Sequence, residues 1–539
     1  MIDDLSYRSI PAYGGQGIVN DKGGVSNLKT PTLDKMASEG LVFNHCYALP
    51  LCTPTRVAIM TGAHNGRNYQ MGSWFDHENL TFADVFKDQG YVTGVFGKWK
   101  VSEQPIGDGE RRRLVSPSYY GFDEWACTQM LRSHERYKNP VIQVTGDITL
   151  NTSDDDYGPD IMNQHALDFI RRHNKEKFFL YYPMALVHDP HHPPTSTGDA
   201  YKKDYPLDDK QSVLYGNRYF ADMINHADIL VGRLLNQLKT LGLSEQTLVV
   251  LTSDNGTKRK LVSRYRDANN ELKSYEGGKG LVNDQGTHVP LLVWAPGLKQ
   301  LKGQRIDDLV DITDIFPTLT AAIGVDLMKT YPNLSIDGLS FNDRILNARS
   351  NNQDRMIFNW YCNTPGEDDI VEYVYNKDYR WLKTTGPERN KSGKVKKGSE
   401  VSTRYAFYAA DDLEMSNNLY NVGSPEQLAL QRKMERFYLD NYNNRHVSEL
   451  QCKVSELDVV AKKLNLRVGE QQQLMVKRIP AENVQFNALL FSSKKPEVAE
   501  VSPWGKVIAR GKGETTITVT TCEYGLSKRI KQNIHIVVQ

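Results

Sequence analysis

Residues 177–182 (Lys-Phe-Phe-Leu-Tyr-Tyr) and 247–252 (Thr-Leu-Val-Val-Leu-Thr) are short apolar runs of the kind that form strands buried on both faces. Between them, residues 219–241 set Ile224, Ala227, Val231, Leu234, Leu235 and Leu238 at helical spacing, which gives one apolar stripe along an amphipathic helix. A strand, a crossover helix and a second strand make the unit of parallel sheets, because parallel neighbours need a long connection that packs back onto the sheet. The same alternation runs through roughly the first 330 residues, so an α/β fold with a mostly parallel sheet is expected there.

Beyond that the pattern changes twice. Residues 351–445 read as a small antiparallel α+β unit, with alternating runs such as Ile357-Phe358-Asn359-Trp360 and Tyr379-Arg380-Trp381-Leu382-Lys383 before a helical stretch near 425–442. Polar residues dominate 446–457, the expected linker. Residues 458–539 are successive strands separated by turn residues, the pattern of a β-sandwich. Residues 1–350 are left as the principal domain, a division that 539 residues require, since single cores stop growing near ~250–300 residues. Lys plus Arg (66) balance Asp plus Glu (65) to a net charge of +1, so no whole-molecule field gathers nucleic acid. No apolar run reaches the roughly 20 residues of a transmembrane segment, and no signal segment opens the chain. The six cysteines (Cys46, Cys52, Cys127, Cys362, Cys452, Cys522) form no CxxC pair, which points to neither a zinc knuckle nor a dense disulfide framework.

One of those cysteines has an unusual setting. In Leu51-Cys52-Thr53-Pro54-Thr55-Arg56, Pro54 suits a first helical turn, the run Val57-Ala58-Ile59-Met60 is apolar, and Gly62 suits a C-terminal cap. Cys52 then lies at the helix N-terminus, where free N–H groups favour negative charge, and Arg56 comes round four residues later to nearly the same face. A free cysteine is most often a small buried hydrophobe, so this segment alone reads first as core and only second as a catalytic site. Two acidic clusters, Asp3-Asp4 and Asp254-Asn255, each follow an apolar residue or strand and so fall at strand carboxyl ends, where open α/β sheets bind ligands. Together they offer only oxygen donors, the set for a hard cation such as calcium, less so magnesium, and not for zinc. Either pair alone would be a turn or cap. Lys98, His188 and Lys279 arrive in further loops after expected strands.

The order of these segments resembles the type I sulfatases of the alkaline-phosphatase superfamily. Cys52-Thr53-Pro54-Thr55-Arg56 resembles the family's Cys-x-Pro-Ser/Thr-Arg signature, Ile2-Asp3-Asp4-Leu5 its first metal cluster, and Ser253-Asp254-Asn255-Gly256 its second. Lys279 with Gly286, Val289 and Pro290 is similar to its lysine segment. The resemblance implies an alkaline-phosphatase-like mixed central sheet flanked by helices, a small C-terminal antiparallel subdomain, and a metal site of Asp3, Asp4, Cys52, Asp254 and Asn255. It implies that Cys52 is oxidised by a sulfatase-maturing enzyme to formylglycine, whose hydrate carries two hydroxyls: one attacks sulfur, and the other then expels sulfate. Arg56 and Lys98 would orient that group, Lys98, Lys100, His188 and Lys279 would bind the sulfate ester, and His188 would serve as general acid. His191 and His192 are assigned to the loop. Lys100 stands where the family carries a histidine, and His288 replaces a common arginine at a position read as structural. The family's central strand precedes the Asp pair, and only Met1-Ile2 of it are present, so an upstream start with an export signal is expected.

Residues 492–520 resemble a bacterial Ig-like domain of group 2, a module of exported bacterial proteins, so a periplasmic, cell-surface or secreted location is expected. The substrate expected is a sulfated carbohydrate. Lys258, Arg259, Lys260, Arg264, Arg266 and Lys273 crowd the insert between Gly256 and Lys279 and are expected at the rim; Trp74, Trp99 and Tyr119-Tyr120 are candidates to stack on sugar rings. Alternatives are a phosphoesterase or phosphonate hydrolase of the same superfamily and a catalytically silent glycan-binding protein.

Overall fold

The computed structural model describes the chain apart from residues 21, 66–79, 101–115, 129–135, 147, 199–217, 299–301, 333, 335, 348–353, 363–369, 389–395, 414, 443–455, 480–488, 502–504 and 522–529. Trp74, Cys452, Cys522 and most of the expected linker lie outside the described residues.

The strands of the α/β region are, in chain order, Gly15–Val19 (β1), Val25–Asn27 (β2), Leu41–Tyr47 (β3), Val92–Lys98 (β4), Glu124–Thr128 (β5), Ile142–Val144 (β6), Ile148–Thr149 (β7), Phe178–Tyr181 (β8), Val249–Thr252 (β9), Val262–Arg266 (β10), Leu272–Glu276 (β11), His288–Trp294 (β12) and Gln304–Asp311 (β13). Two sheets, β13-β3-β12-β9 and β7-β6-β5-β4-β8, meet at the chain's first residues. Ile2 bridges Ser253 in parallel, its N–H donating to Thr252 O at 2.9 Å. On the other side the Asp3 N–H donates to Leu186 O at 2.7 Å and the Val187 N–H to Asp3 O at 2.8 Å. β3 and β13, and β4, β5 and β8, run parallel, while β12 is antiparallel to both β3 and β9. The sheet is therefore mixed.

Period-two alternation assigns successive side chains to opposite faces. Val42, Phe96 and Leu292 join one apolar cluster, with the helices Gly158–Arg172 and Phe220–Thr240; Phe43, Val95 and Leu291 join the other, with Cys52–Thr61 and Ile315–Ala322. The long crossover helix lies within one residue of its expected bounds at each end.

This topology gathers chemistry at one edge. The carboxyl ends of β3, β4, β8, β9 and the N-terminal stretch all open there, and β12, because it is antiparallel, begins there, His288 pairing with Tyr47 at the end of β3. The segment before β12, which holds Lys279, is brought to the same edge by that reversal.

Strands Ile357–Cys362, Ile370–Tyr375, Tyr379–Gly386 and Ser402–Ala409 form an antiparallel meander. One face packs on helix Pro425–Tyr442 through Trp360, Trp381, Phe407 and Met434; the other, through Tyr361, Tyr373 and Tyr375, packs on Tyr47, Val282 and Leu309. The last region has its own core, from Leu457 to Val538, and its first strand, Glu456–Val459, begins two residues inside the stretch expected as linker. Lys506 there lies 3.3 Å from Asp88 of the α/β region. Among the described residues no helix is long and apolar enough to cross a membrane.

Candidate active site

Cys52 is the first residue of helix Cys52–Thr61, after Leu51 in extended conformation, and all ten residues of that helix are buried. A helix buried all round explains the unbroken apolar run that follows. One turn on, Arg56, 1% exposed, donates from Nε and Nη2 to Asp254 Oδ2 at 2.9 and 2.7 Å and from Nη1 to Lys98 O at 3.0 Å; its Nη2 is 3.5 Å from Asp3 Oδ2. Lys98, equally buried at the end of β4, donates to Asp3 Oδ2 at 2.5 Å. Gly97 lets it approach, since a Cβ there would lie 2.1 Å from Pro183 O. On the far side Lys279 donates to Asp4 Oδ2 at 2.6 Å and to His188 Nε2 at 3.0 Å. Gly256 permits this segment to pack on the Asp254 loop, where a Cβ would meet Gln285 O at 1.9 Å.

The acidic residues converge as well. The Asp4 N–H donates to Asp254 Oδ1 at 3.0 Å, Asn255 Nδ2 donates to Asp4 Oδ1 at 2.8 Å, and carboxylate oxygens of Asp3, Asp4 and Asp254 lie within 4.8 Å of one another. Burial and the neighbouring Asp3 raise Asp254 to about 6, despite Arg56. Asp3 stays far below the usual carboxylate range: burial opposes this, but the Lys98 ammonium and the Arg56 guanidinium outweigh it. Arg56, Lys98 and Lys279 neutralise these carboxylates from outside the cluster, which leaves room for a further cation at its centre. Two further atoms point the same way: Asp3 Oδ1 and Asn255 Oδ1 are buried without a hydrogen-bond partner. An all-oxygen donor set with unpaired oxygens fits a hard divalent cation such as calcium. Cys52 lies with Asp3 and His188 in an adjoining group of the same spacing.

Lys100, in the left-handed conformation at φ 52°, brings Nζ to 3.9 Å from Cys52 Sγ. Burial would raise the Cys52 thiol, but Lys98, Lys100 and Lys279 reverse this and lower it. Residue 52 therefore sits in the field of three lysine ammonium groups. His188 is driven well below the usual histidine range by burial and by Lys98 and Lys279, so its ring is neutral, with Nδ1 donating to Asp189 O at 2.5 Å.

Several other expectations change. Of the basic insert, Lys258 contacts Asp189 at 2.9 Å and Arg259 Nε donates to Lys279 O at 3.1 Å. Arg264, Arg266 and Lys273 instead bond within the β10–β11 hairpin, to Ser274, Asn270 and Glu271, because strand pairing with β1 carries them into a separate antiparallel sheet. Trp99 is buried against Tyr120 and Phe122, and Tyr120 is buried too, so neither can stack on a sugar; Tyr119 is exposed. His288 is buried, stacked on Tyr7 and bonded to Asp284 and Asn44, a structural position. Sequence reasoning missed Tyr137, whose hydroxyl donates to His188 O at 2.5 Å, and no local signal marks it.

A profile of the sulfatase family matches residues 1–325, and one of the group 2 bacterial Ig-like domain matches residues 453–531. Human N-acetylgalactosamine-6-sulfatase is 29% identical over 391 residues, 66% of this chain and 66% of its own length. The ulvan-active sulfatase of Formosa agariphila is 25% identical over 473 residues, 83% of this chain and 82% of that protein. A solved complex with the substrate D-glucosamine-2-N,6-O-disulfate superposes with a TM-score of 0.58 at 19% identity, covering 82% of this chain and 96% of that one. The fold also recurs in the phosphonate monoester hydrolase of Agrobacterium radiobacter, with a TM-score of 0.55 at 17% identity over 81% of this chain and 94% of that one, so fold alone does not select the reaction. The profile that covers more than half of the chain, and in particular every charged residue gathered around Cys52, establishes that this chain belongs to the sulfatase family and carries a bacterial Ig-like domain at its C-terminus.

Proposed function

We propose that this chain removes sulfate from a carbohydrate sulfate ester, using formylglycine made from Cys52 by a sulfatase-maturing enzyme. The observation that carries this reading is the convergence on Cys52 of three buried carboxylates with Arg56, Lys98 and Lys279. Three cations balance three anions, so a divalent cation on Asp3, Asp4, Asp254 and Asn255 leaves the excess positive charge an anionic ester requires. Held by those residues, such a cation would supply Lewis acidity toward a sulfate oxygen. With residue 52 converted, its hydrated aldehyde would supply one hydroxyl to displace the sugar oxygen from sulfur and a second whose deprotonation would break the carbon–oxygen bond to sulfate and restore the aldehyde.

The chain's other groups bind and move protons. Lys98 and Lys100 flank residue 52 and fix the anionic group there; Lys279 meets charge that builds on the sulfate oxygens. His188, with Nδ1 donating to Asp189 and Nε2 accepting from the Lys279 ammonium, relays a proton from Lys279 to the departing sugar oxygen, and Lys279 is reprotonated from solvent. The carbohydrate substrate is supported by the names of the two relatives, one acting on an N-acetylgalactosamine 6-sulfate and one on ulvan. The Ig-like module supports an exported bacterial protein.

Phosphonate chemistry remains a second reading only at the level of fold. A second metal would draw on Asp4 and His188, yet the Lys279 ammonium stands 2.6 and 3.0 Å from them. Protein co-expressed with a maturing enzyme should release sulfate from members of a panel of sulfated sugars faster than phosphate from matched esters. Faster phosphate release, or undiminished sulfate release by Cys52→Ala, would overturn the proposal.

A further inference from the structure

Two charged groups beside the site are not used above and come from separate loops. Asp189 follows His188, and Lys258 lies three residues after Asn255. Lys258 Nζ donates to Asp189 Oδ2 at 2.9 Å, while Asp189 Oδ1 is 3.2 Å from His188 Nδ1 and Asp189 O takes a hydrogen bond from the same nitrogen at 2.5 Å. One residue thus presents two oxygens to one ring nitrogen, which leaves Nε2 turned toward Lys279 and Asp4. Lys258 is itself fixed: the Thr257 N–H donates to Ser6 Oγ at 2.8 Å and the Ser6 N–H to Thr257 Oγ1 at 3.0 Å, which ties this stretch to the segment bearing Asp3 and Asp4.

We propose that the Lys258–Asp189 ion pair is a positioning strut that sets the His188 ring against the acidic cluster. A ring that passes a proton from Lys279 to a leaving oxygen must aim Nε2 at both, and that aim is set by what holds Nδ1. Asp189 belongs to the loop after β8; Lys258 ties it to the loop that carries Asp254 and Asn255, so ring and cation ligands keep one spacing. The inference rests on the reading of His188 as the proton carrier. The side chains of Lys258 and Asp189 are 45% and 33% exposed, so the pair contributes little to stability and its variants should fold, with melting temperatures within about 2 °C of wild type.

The test compares Lys258→Met, Lys258→Arg, Asp189→Asn and His188→Ala on two substrates: the sulfated sugar turned over fastest in the panel, whose leaving oxygen needs a proton, and nitrophenyl sulfate, whose leaving group does not. Lys258→Met and Asp189→Asn are expected to lower kcat on the sugar about 10- to 100-fold with KM within about twofold. The nitrophenyl ester should lose less than about threefold, and Lys258→Arg should recover most of the sugar rate. A raised KM with unchanged kcat would show Lys258 touching substrate directly and overturn the strut. Full sugar turnover in the pair variants, while His188→Ala loses it, would overturn the strut alone. Full turnover in His188→Ala would remove the proton-carrier reading and the strut with it.

Discussion

In the sandwich the buried side chains are Leu457, Val459, Val507, Ile517, Ile534 and their apolar neighbours, and the buried polar residues among those described are Thr515 and Thr520. In the α/β region the same depth holds Asp3, Arg56, Lys98 and Asp254. Each such ion costs several kcal/mol to desolvate, even after relaxation. Two apolar clusters on the faces of one sheet offset that cost; the small sandwich core could not. The difference teaches where chemistry can be kept: charge is concentrated at the end of the large sheet, where loops converge, and the sandwich interior serves stability alone.

The largest effect that sharpens this contrast is Cys52→Ala, which should cut sulfate release by at least about 10³-fold while leaving the melting of both regions nearly unchanged. Arg56→Met comes next, because it strands Asp3 and Asp254 without their guanidinium. A loss of about 3–5 kcal/mol is expected in the α/β transition of a denaturation curve, with the sandwich transition unmoved. In the other direction, Ile517→Ala should cost the sandwich about 2–5 kcal/mol and leave sulfate release within about twofold. If activity fell with the sandwich, the two interiors would not be independent.

A smaller effect concerns pH. Asp284 supports the segment before β12 through Arg380 and His288; burial would raise its carboxyl, but these two groups hold it at about 2, below its ordinary 3.8. A depressed folded pKa gives stability that is present above the unfolded value and lost as pH falls through the folded one. The contribution, about 2 kcal/mol, should therefore be full above about pH 4 and vanish toward pH 2. The gap in melting temperature between wild type and Asp284→Asn should narrow over that window. Smallest of all, Lys506→Ala at the contact with Asp88 should change stability by less than about 1 kcal/mol, read from the same curves.

What was legible in the sequence was what the chain encodes locally. Cys52 and Arg56 are one helical turn apart, Asp254 and Asn255 adjoin a strand, and the 219–241 stripe has a single period, so each could be read without its partners. The resemblance then supplied the order that joined them. What was hidden depends on pairing between distant segments. Antiparallel β12 brings Lys279 to the site edge, a hairpin removes Arg264 and Lys273 from it, and Trp99 turns into the core. The Lys258–Asp189 pair spans 69 residues, and neither residue announces the other.

The most direct measurement is inorganic sulfate released from a defined sulfated sugar by protein matured at residue 52, before and after a chelator strips divalent ions and calcium is restored. The account predicts turnover that stops on chelation, returns with calcium and is absent from Cys52→Ala. Turnover that survives both chelation and the substitution would contradict it.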